Sequence, residues 1–409
     1  MKVLVFTSLY PNNVWPNHGV FIKERMTHFA KVDGCEMKVV APVPYFPAIK
    51  INWRWSYSQV KVLEIRDGIE IYHPRYFMTP KIGMSLYGLT MFLSVLRTVR
   101  KIKTNFDFDL IDAHFVYPDG LAAVLLGWFF KKPVVVSARG SDINLYSHFP
   151  VIRKILQYTL RKANGVIAVC HALKEAMVGL GISDEKIFVV PNGVDHRKFF
   201  PVPKRDARKT LGLPVDKKII LSVGGLIPRK GFDLLIKALK LLRQEHFRDL
   251  YLVIVGEGPS RPDLEQLIAS IGLTQCVRFV GSVPHQELYA WYSAADLFCL
   301  ASDREGWPNV ILESLACGTP VVATNIWGIP EIISSAKLGL LMLRNEQNIA
   351  ETIKLALAAR WDGNAITEVV KDCTWERTAA SIHDILESVH SRDDRRRWIS
   401  VLPSSDEAT

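Results

Sequence analysis

Two acidic side chains, Glu305 and Glu313, stand eight positions apart in the stretch Asp303-Arg304-Glu305-Gly306-Trp307-Pro308-Asn309-Val310-Ile311-Leu312-Glu313. A strand expected over Leu297–Leu300 ends in the loop that bears Glu305. Gly306 lets a ligand approach the backbone there, and a helix is expected to start near Asn309. The unpaired N–H groups of such a start attract an anion, and a diphosphate suits them. Glu313, four residues after Asn309, falls on the same helix face one turn further in. The two carboxylates can then address opposite ends of one ligand. They are also what a helix dipole recruits, and spacing alone leaves both readings open.

A second candidate runs from Ser222 to Asp233 (SVGGLIPRKGFD), read as strand, glycine loop and helix. Gly224 and Gly225 admit close approach, and Arg229 and Lys230 at the end of the loop would neutralise a departing diphosphate as its charge develops. A solvated turn carrying two exposed cations is the alternative. Asp112-Ala113-His114-Phe115 closes another strand, although a lone histidine is usually a satisfied structural residue. Val255-Gly256-Glu257-Gly258-Pro259 opens like a dinucleotide fingerprint, but Arg261 stands where the third glycine belongs, so Gly256 and Gly258 are read as shaping a turn at a nucleotide's base or ribose. Asp107-Phe108-Asp109 spells the D-x-D of metal sites, yet it leads into a strand start and is assigned no metal.

The elements that must position these groups are short apolar runs: Met37–Ala41, Leu110–Ala113, Val134–Ser137, Gly165–Val169 and Phe188–Val190, then Ile219–Val223, Leu252–Val255, Val277–Val280, Leu297–Leu300 and Val321–Ala323. Strands apolar throughout, separated by helical patterns such as Asp233–Gln244, predict parallel sheets covered on both faces. The α/β doubly wound pattern occurs twice. Turn formers and charges from Pro191 to Arg205 place a boundary near residue 200, giving domains 1–200 and 201–375 and a C-terminal helix with a polar tail over 376–409.

At 409 residues, 49% of them hydrophobic, the chain is neither disordered nor a disulfide-stapled miniprotein. Its six cysteines show no C-x-x-C pair, which suits a reducing cytoplasm, and the first residues form a strand rather than a signal-peptide pattern. The net charge of +10 is uneven: residues 1–205 hold 28 Lys and Arg against 15 Asp and Glu, leaving 23 against 26 for the remainder. The basic half suggests an anionic partner. Met84–Lys103, apolar and then basic, fits either a helix with a complemented dipole or a helix lying on a membrane. Arg392, Arg395, Arg396 and Arg397 are interrupted by two aspartates and lack an aromatic platform, so nucleic acid is not expected as a partner.

The 305–323 segment resembles the E-x7-E motif of retaining GT-B glycosyltransferases of family four (group 1), with Gly306 after the first glutamate and Cys317-Gly318-Thr319-Pro320-Val321-Val322-Ala323 after the second. The 222–233 loop is similar to that family's G-R-L-x-x-x-K-G element, with Lys230 matching its lysine and Gly225 standing where arginine is usual; Arg229 is the candidate to supply the missing charge. The resemblance implies two Rossmann-like domains facing across a cleft, with a nucleotide sugar held by the C-terminal one near Gly224, Gly225, Gly256, Gly258, Gly306, Trp307, Pro308, Asn309, Val310 and Glu313. It implies Glu305 at the donor sugar, Glu313 at the ribose, and His114 at a strand end near the transferred sugar. Gly19 in Pro11–Arg25, which would admit acceptor or donor close to the backbone, and Arg139 and Asp142 after a strand would line the acceptor side or the cleft.

The activity it implies is retaining, metal-independent transfer to a glycan or lipid-linked glycan. The setting is bacterial exopolysaccharide, capsule or lipopolysaccharide synthesis at the inner face of the plasma membrane, with no cofactor. A non-catalytic nucleotide-sugar-binding scaffold and a GT-B sugar-nucleotide epimerase are the alternatives.

Overall fold

The computed structural model describes residues 1–50, 53–78, 83–245 and 247–401. The chain divides into two compact units, Met1–Pro191 with Glu376–Thr409 and, by itself, Asn192–Trp375. The terminal helix Trp375–Val401, read from sequence as a segment of its own, belongs to the first unit because Ala379, Ile382, Leu386 and Val389 pack with Val3, Ile22, Phe29 and Val135. Residues 402–409, the end of the expected polar tail, lie outside the described residues. Counted by unit, the first holds 29 basic against 21 acidic residues (+8) and the second 22 against 20 (+2).

The first unit is built from β1 (Lys2–Phe6), β2 (Glu36–Val40), β3 (Val43–Pro44), β4 (Leu63–Arg66), β5 (Ile69–Tyr72), β6 (Arg75–Tyr76), β7 (Leu110–His114), β8 (Val134–Ala138), β9 (Gly165–Ala168) and β10 (Ile187–Val189). Eight of these form one sheet in the order β10-β9-β8-β7-β1-β2-β5-β4, all parallel except the pairing of β4 with β5. Strands β7 and β8 are buried along their whole length; most of their residues are apolar, and the exceptions, Asp112 and His114 on β7 and Ser137 on β8, are buried polar groups. The helices are α1 (Val20–Phe29), α2 (Tyr87–Asn105), α3 (Leu121–Phe130), α4 (Ser141–Asn144) and α5 (Pro150–Lys162), followed by His171–Gly179 and the terminal helix. In α2 the buried residues Gly88, Met91, Val95, Val99 and Ile102 recur at helical spacing and form the face turned to the core. Helix α1 begins at Gly19 with φ +69°, where a Cβ would stand 2.3 Å from the Leu9 carbonyl oxygen. Glycine there serves a backbone-to-backbone approach.

The second unit carries β11 (Lys218–Val223), β12 (Leu250–Val255), β13 (Val277–Gly281), β14 (Leu297–Leu300), β15 (Val321–Thr324) and β16 (Gly339–Met342), all parallel, in the order β13-β12-β11-β14-β15-β16. Helices Phe232–Gln244 and Glu346–Ala358 pack together on one face, with a second apolar core on the other. In each sheet the strand order reverses once, between β1 and β7 and between β11 and β14. Loops leaving the carboxyl ends of such strands are the usual ligand position of an open α/β sheet.

Candidate active site

In the second unit the loops after β11 and β14 meet at the point of reversal. The Lys230 ammonium lies 2.5 Å from Glu305 Oε1, and the same oxygen accepts from Ser302 Oγ at 2.8 Å. Arg229 donates to the Arg304 carbonyl and stands 3.8 Å from Glu305 Oε2. Burial would raise the Glu305 carboxyl, but Lys230 and then Arg229 outweigh it and hold the group ionised below its usual range. Just beyond, Pro308 precedes the helix Asn309–Ala316, whose start has no side-chain cap. Asn309 Oδ1 accepts from Asn192 Nδ2, and Trp307 Nε1 donates to the Asn192 carbonyl, which fixes the loop's far end. Gly306 is buried and Val310 half-buried at this turn.

Glu313 has a different set of partners. Its carboxylate accepts from the Tyr292 hydroxyl at 2.8 Å and lies 2.9 Å from His285 Nε2, and the side chain is almost wholly buried. Burial, then the Glu313 charge, pushes the Tyr292 phenol well above its ordinary range. Gly256 and Gly258 lie against backbone: a Cβ at 256 would come within 1.9 Å of the Gly224 oxygen, and one at 258 within 2.4 Å of the Leu226 oxygen. Hydrogen bonds from Leu226 N to Glu257 O and from Ser260 N to Leu226 O complete this clasp of the glycine loop. A Cβ at Gly225 would find nothing closer than 3.9 Å.

In the first unit a buried network gathers at the ends of β7 and β8. Arg25 donates to Asp112 Oδ2 at 3.0 Å and to Ser137 Oγ at 2.9 Å. His114 is fully buried, with Nδ1 accepting from Arg139 and Nε2 3.4 Å from Asp112 Oδ2. Burial brings the His114 imidazole down to about 3, against the pull of Asp112, so the ring is neutral. Burial also acts on Asp112, upward, but Arg25 and His114 override it and bring the carboxyl to about 2. The next residue, Phe115, has φ +83°, strained for a side-chain-bearing residue. Asp142 accepts from the backbone N–H groups of Val116, Arg139 and Gly140, so its carboxylate shapes the two strand-end loops. Asp107 pairs with Lys103 and Lys132, and Asp109 accepts from the Lys2 amide, so both aspartates have structural partners.

The pattern described as "Glycosyl transferases group 1" matches residues 203–372, and that described as "Glycosyltransferase Family 4" matches 20–198. The Bacillus subtilis (strain 168) protein TuaC, named for teichuronic acid biosynthesis, is 30% identical over 98% of this chain and 97% of its own length. The chain is a group 1 glycosyltransferase of family 4. A D-inositol 3-phosphate glycosyltransferase of Corynebacterium urealyticum is also 30% identical, over 81% of this chain and 84% of its own. Among solved structures, sucrose-phosphate synthase from Thermosynechococcus elongatus superposes with a TM-score of 0.75 at 20% identity, covering 96% of this chain and 99% of that one. Anabaena HepE in complex with UDP and glucose gives 0.72 at 20%, covering 95% and 100%. The fold of this glycosyltransferase is GT-B, two Rossmann-like α/β units.

Sequence reading missed several residues of both clusters. Asp119 is fully buried in the loop after β7, where its Oδ2 accepts from Ser8 N and Ser8 Oγ at 2.9 Å. Burial, with Asp142 assisting, raises its carboxyl to about 7. In Tyr117-Pro118-Asp119-Gly120 the residue looks like an ordinary turn former, and only the reversal between β1 and β7 marks the loop. Arg25, His285 and Tyr292 carry no local signal, since their partners are 87, 28 and 21 residues away.

Proposed function

We propose that this glycosyltransferase moves a sugar, with retention of configuration and without a metal, from a nucleotide diphosphate donor to a hydroxyl of a lipid-linked glycan. The observation that carries the reading is the Lys230–Glu305 pair beside an uncapped helix start at the β11/β14 reversal. A diphosphate at that start meets backbone N–H groups with Arg229 and Lys230 alongside, and these cations stabilise it as it leaves. Glu305, kept ionised, orients the donor sugar and steadies an oxocarbenium-like carbon. Catalysis is then mostly positioning and electrostatics, with the departing phosphate taking the acceptor proton. Glu313 is assigned to the ribose, with His285 and Tyr292 fixing its carboxylate. The nucleotide sugar is a substrate, and no further cofactor is required.

The first unit is assigned the acceptor, with Gly19, His114, Arg139 and Asp142 shaping its loops. The name of the Bacillus relative supports a cell-surface polysaccharide as the product. No helix among the described residues is long and apolar enough to cross a membrane, and the reading places the enzyme in the cytoplasm with peripheral contact to an anionic bilayer. Nucleotide sugars screened for a stabilising thermal shift, followed by a donor hydrolysis assay with the hit, test the proposal. Hydrolysis or transfer in excess chelator is expected. Binding without turnover would favour a scaffold subunit, epimerised donor an epimerase, and strict dependence on an added divalent ion would overturn the metal-independent step.

A further inference from the structure

The basic excess of the first unit has a definite location. Helices α2, α3 and α5 contain no aspartate or glutamate, while α2 carries Arg97, Arg100, Lys101 and Lys103 and α5 carries Arg153, Lys154, Arg161 and Lys162. The helices pack side by side, α2 and α3 in the same direction: Gly88 lies against Leu121 at one end, and the Arg100 guanidinium lies over the Phe129 ring at the other. Along the outer face of α2, Leu89 and Leu93 are exposed and are continued at helical spacing by exposed Arg97 and Arg100. Next to Phe129, Trp128 is 78% exposed. Between α3 and α5 a recess of about 670 Å³ is lined by Trp128, Lys131, Lys132, Tyr158, Lys162 and Asn164. The near acidic neighbour, Asp107, is taken up by Lys103 and Lys132.

We propose that the outer surface of α2, α3 and α5 is a docking face for an anionic lipid bilayer, with Leu93 and Trp128 entering the interface, Arg97 and Arg100 at the headgroups, and the lysine-lined recess receiving a lipid phosphate. Exposed apolar side chains give a soluble surface no advantage, and the cations of this face outnumber the one acid paired with Lys103 and Lys132, so they repel one another until an anionic plane is brought up. Tryptophan and tyrosine, apolar in body and polar at one end, suit the boundary between acyl chains and headgroups. This deepens the membrane contact of the proposed function and rests on it only for the lipid-linked acceptor that makes docking useful.

Co-sedimentation with vesicles, run without donor or acceptor, separates the two claims. The protein should sediment with equimolar phosphatidylcholine and phosphatidylglycerol, not with phosphatidylcholine alone, and be released as salt rises. The double substitution Arg97→Gln/Arg100→Gln should weaken partition about 30-fold, and Trp128→Ala about tenfold. Lys354→Gln, which removes an exposed cation of the second unit, should change nothing. Unselective or absent vesicle binding, or full binding by both variants, overturns the docking face. So does a concentration-dependent dimer lost in the same variants, which would assign the surface to a second copy. Transfer to a soluble acceptor by a protein that fails to sediment would leave the enzymatic reading intact.

Discussion

The two strand reversals hold charged clusters of opposite character. At β11/β14, Lys230 and Glu305 keep 12% and 10% of their side chains exposed, and each is an opposite charge to the other with Arg229 in reserve. At β1/β7, Arg25, Asp112 and His114 are sealed, at 1%, 0% and 0% exposure. A charge at the rim can exchange its partner for an incoming phosphate with little reorganisation. A charge in the interior can only keep the partner it folded with. On the proposed reading, chemistry belongs to the second unit's cluster and rigidity of the loops to the first unit's.

The sharpest way to break that division is Asp112→Ala, which leaves the Arg25 guanidinium buried and unpaired and should cost about 3–5 kcal/mol in denaturant unfolding. A loss within experimental error would mean that the cluster opens to water. Lys230→Ala should act mainly on rate, lowering turnover about 100- to 1,000-fold, with a smaller loss of stability than Asp112→Ala because Ser302 and Arg229 stay beside Glu305. Equal turnover would remove Lys230 from the reaction. If both variants lost stability and neither lost specific activity, the contrast between the clusters would collapse.

Acid and base titration sharpen it further, because buried groups of the first unit act with opposite signs. Asp119, raised from 3.8 to about 7, binds its proton more tightly when folded, so its contribution is complete below pH 3.8 and is lost as the pH rises towards about 7. His114, lowered from 6.5 to about 3, gives stability that is present above 6.5 and lost as the pH falls towards 3. The two offset one another across most of this window. Asp119→Asn should unmask the histidine, so that stability climbs from acid towards pH 6.5 more steeply than in the parent. A profile unchanged by the substitution would show that Asp119 is ionised in the folded protein.

The sheets were legible because their strands are buried on both faces. Leu297–Leu300 is apolar throughout and falls on β14, while Leu110–Ala113 and Val134–Ser137, mostly apolar but carrying Asp112 and Ser137, fall on β7 and β8. The β4–β5 hairpin was not legible, since Leu63 and Ile65 are exposed at an edge and their pattern breaks at Arg66-Asp67-Gly68. The pairing of Lys230 with Glu305 joins two motifs that each stood out alone, but no local spacing announces a contact across 75 residues. The membership of the terminal helix was hidden for the same reason: Ala379, Ile382 and Leu386 give its apolar face without naming the sheet that receives it.

The smallest expected effect lies at Gly225, where the family pattern has arginine. An added Cβ meets only open space, with the Glu257 oxygen at 3.9 Å, so packing does not demand glycine at this position. Gly225→Arg should accordingly shift stability by no more than about 0.5 kcal/mol. A second cation on the loop should tighten nucleoside diphosphate several-fold in isothermal titration, provided that the diphosphate lies where Arg229 and Lys230 converge. The gain should shrink in the Arg229→Ala background if Arg229 already fills the arginine's role, because the two cations then serve one charge and their contributions are not additive. A gain of the same size in both backgrounds would separate the two positions and deny Arg229 that substitution. No gain in either would place the diphosphate away from the glycine loop, leaving the helix start at Asn309 to hold it alone.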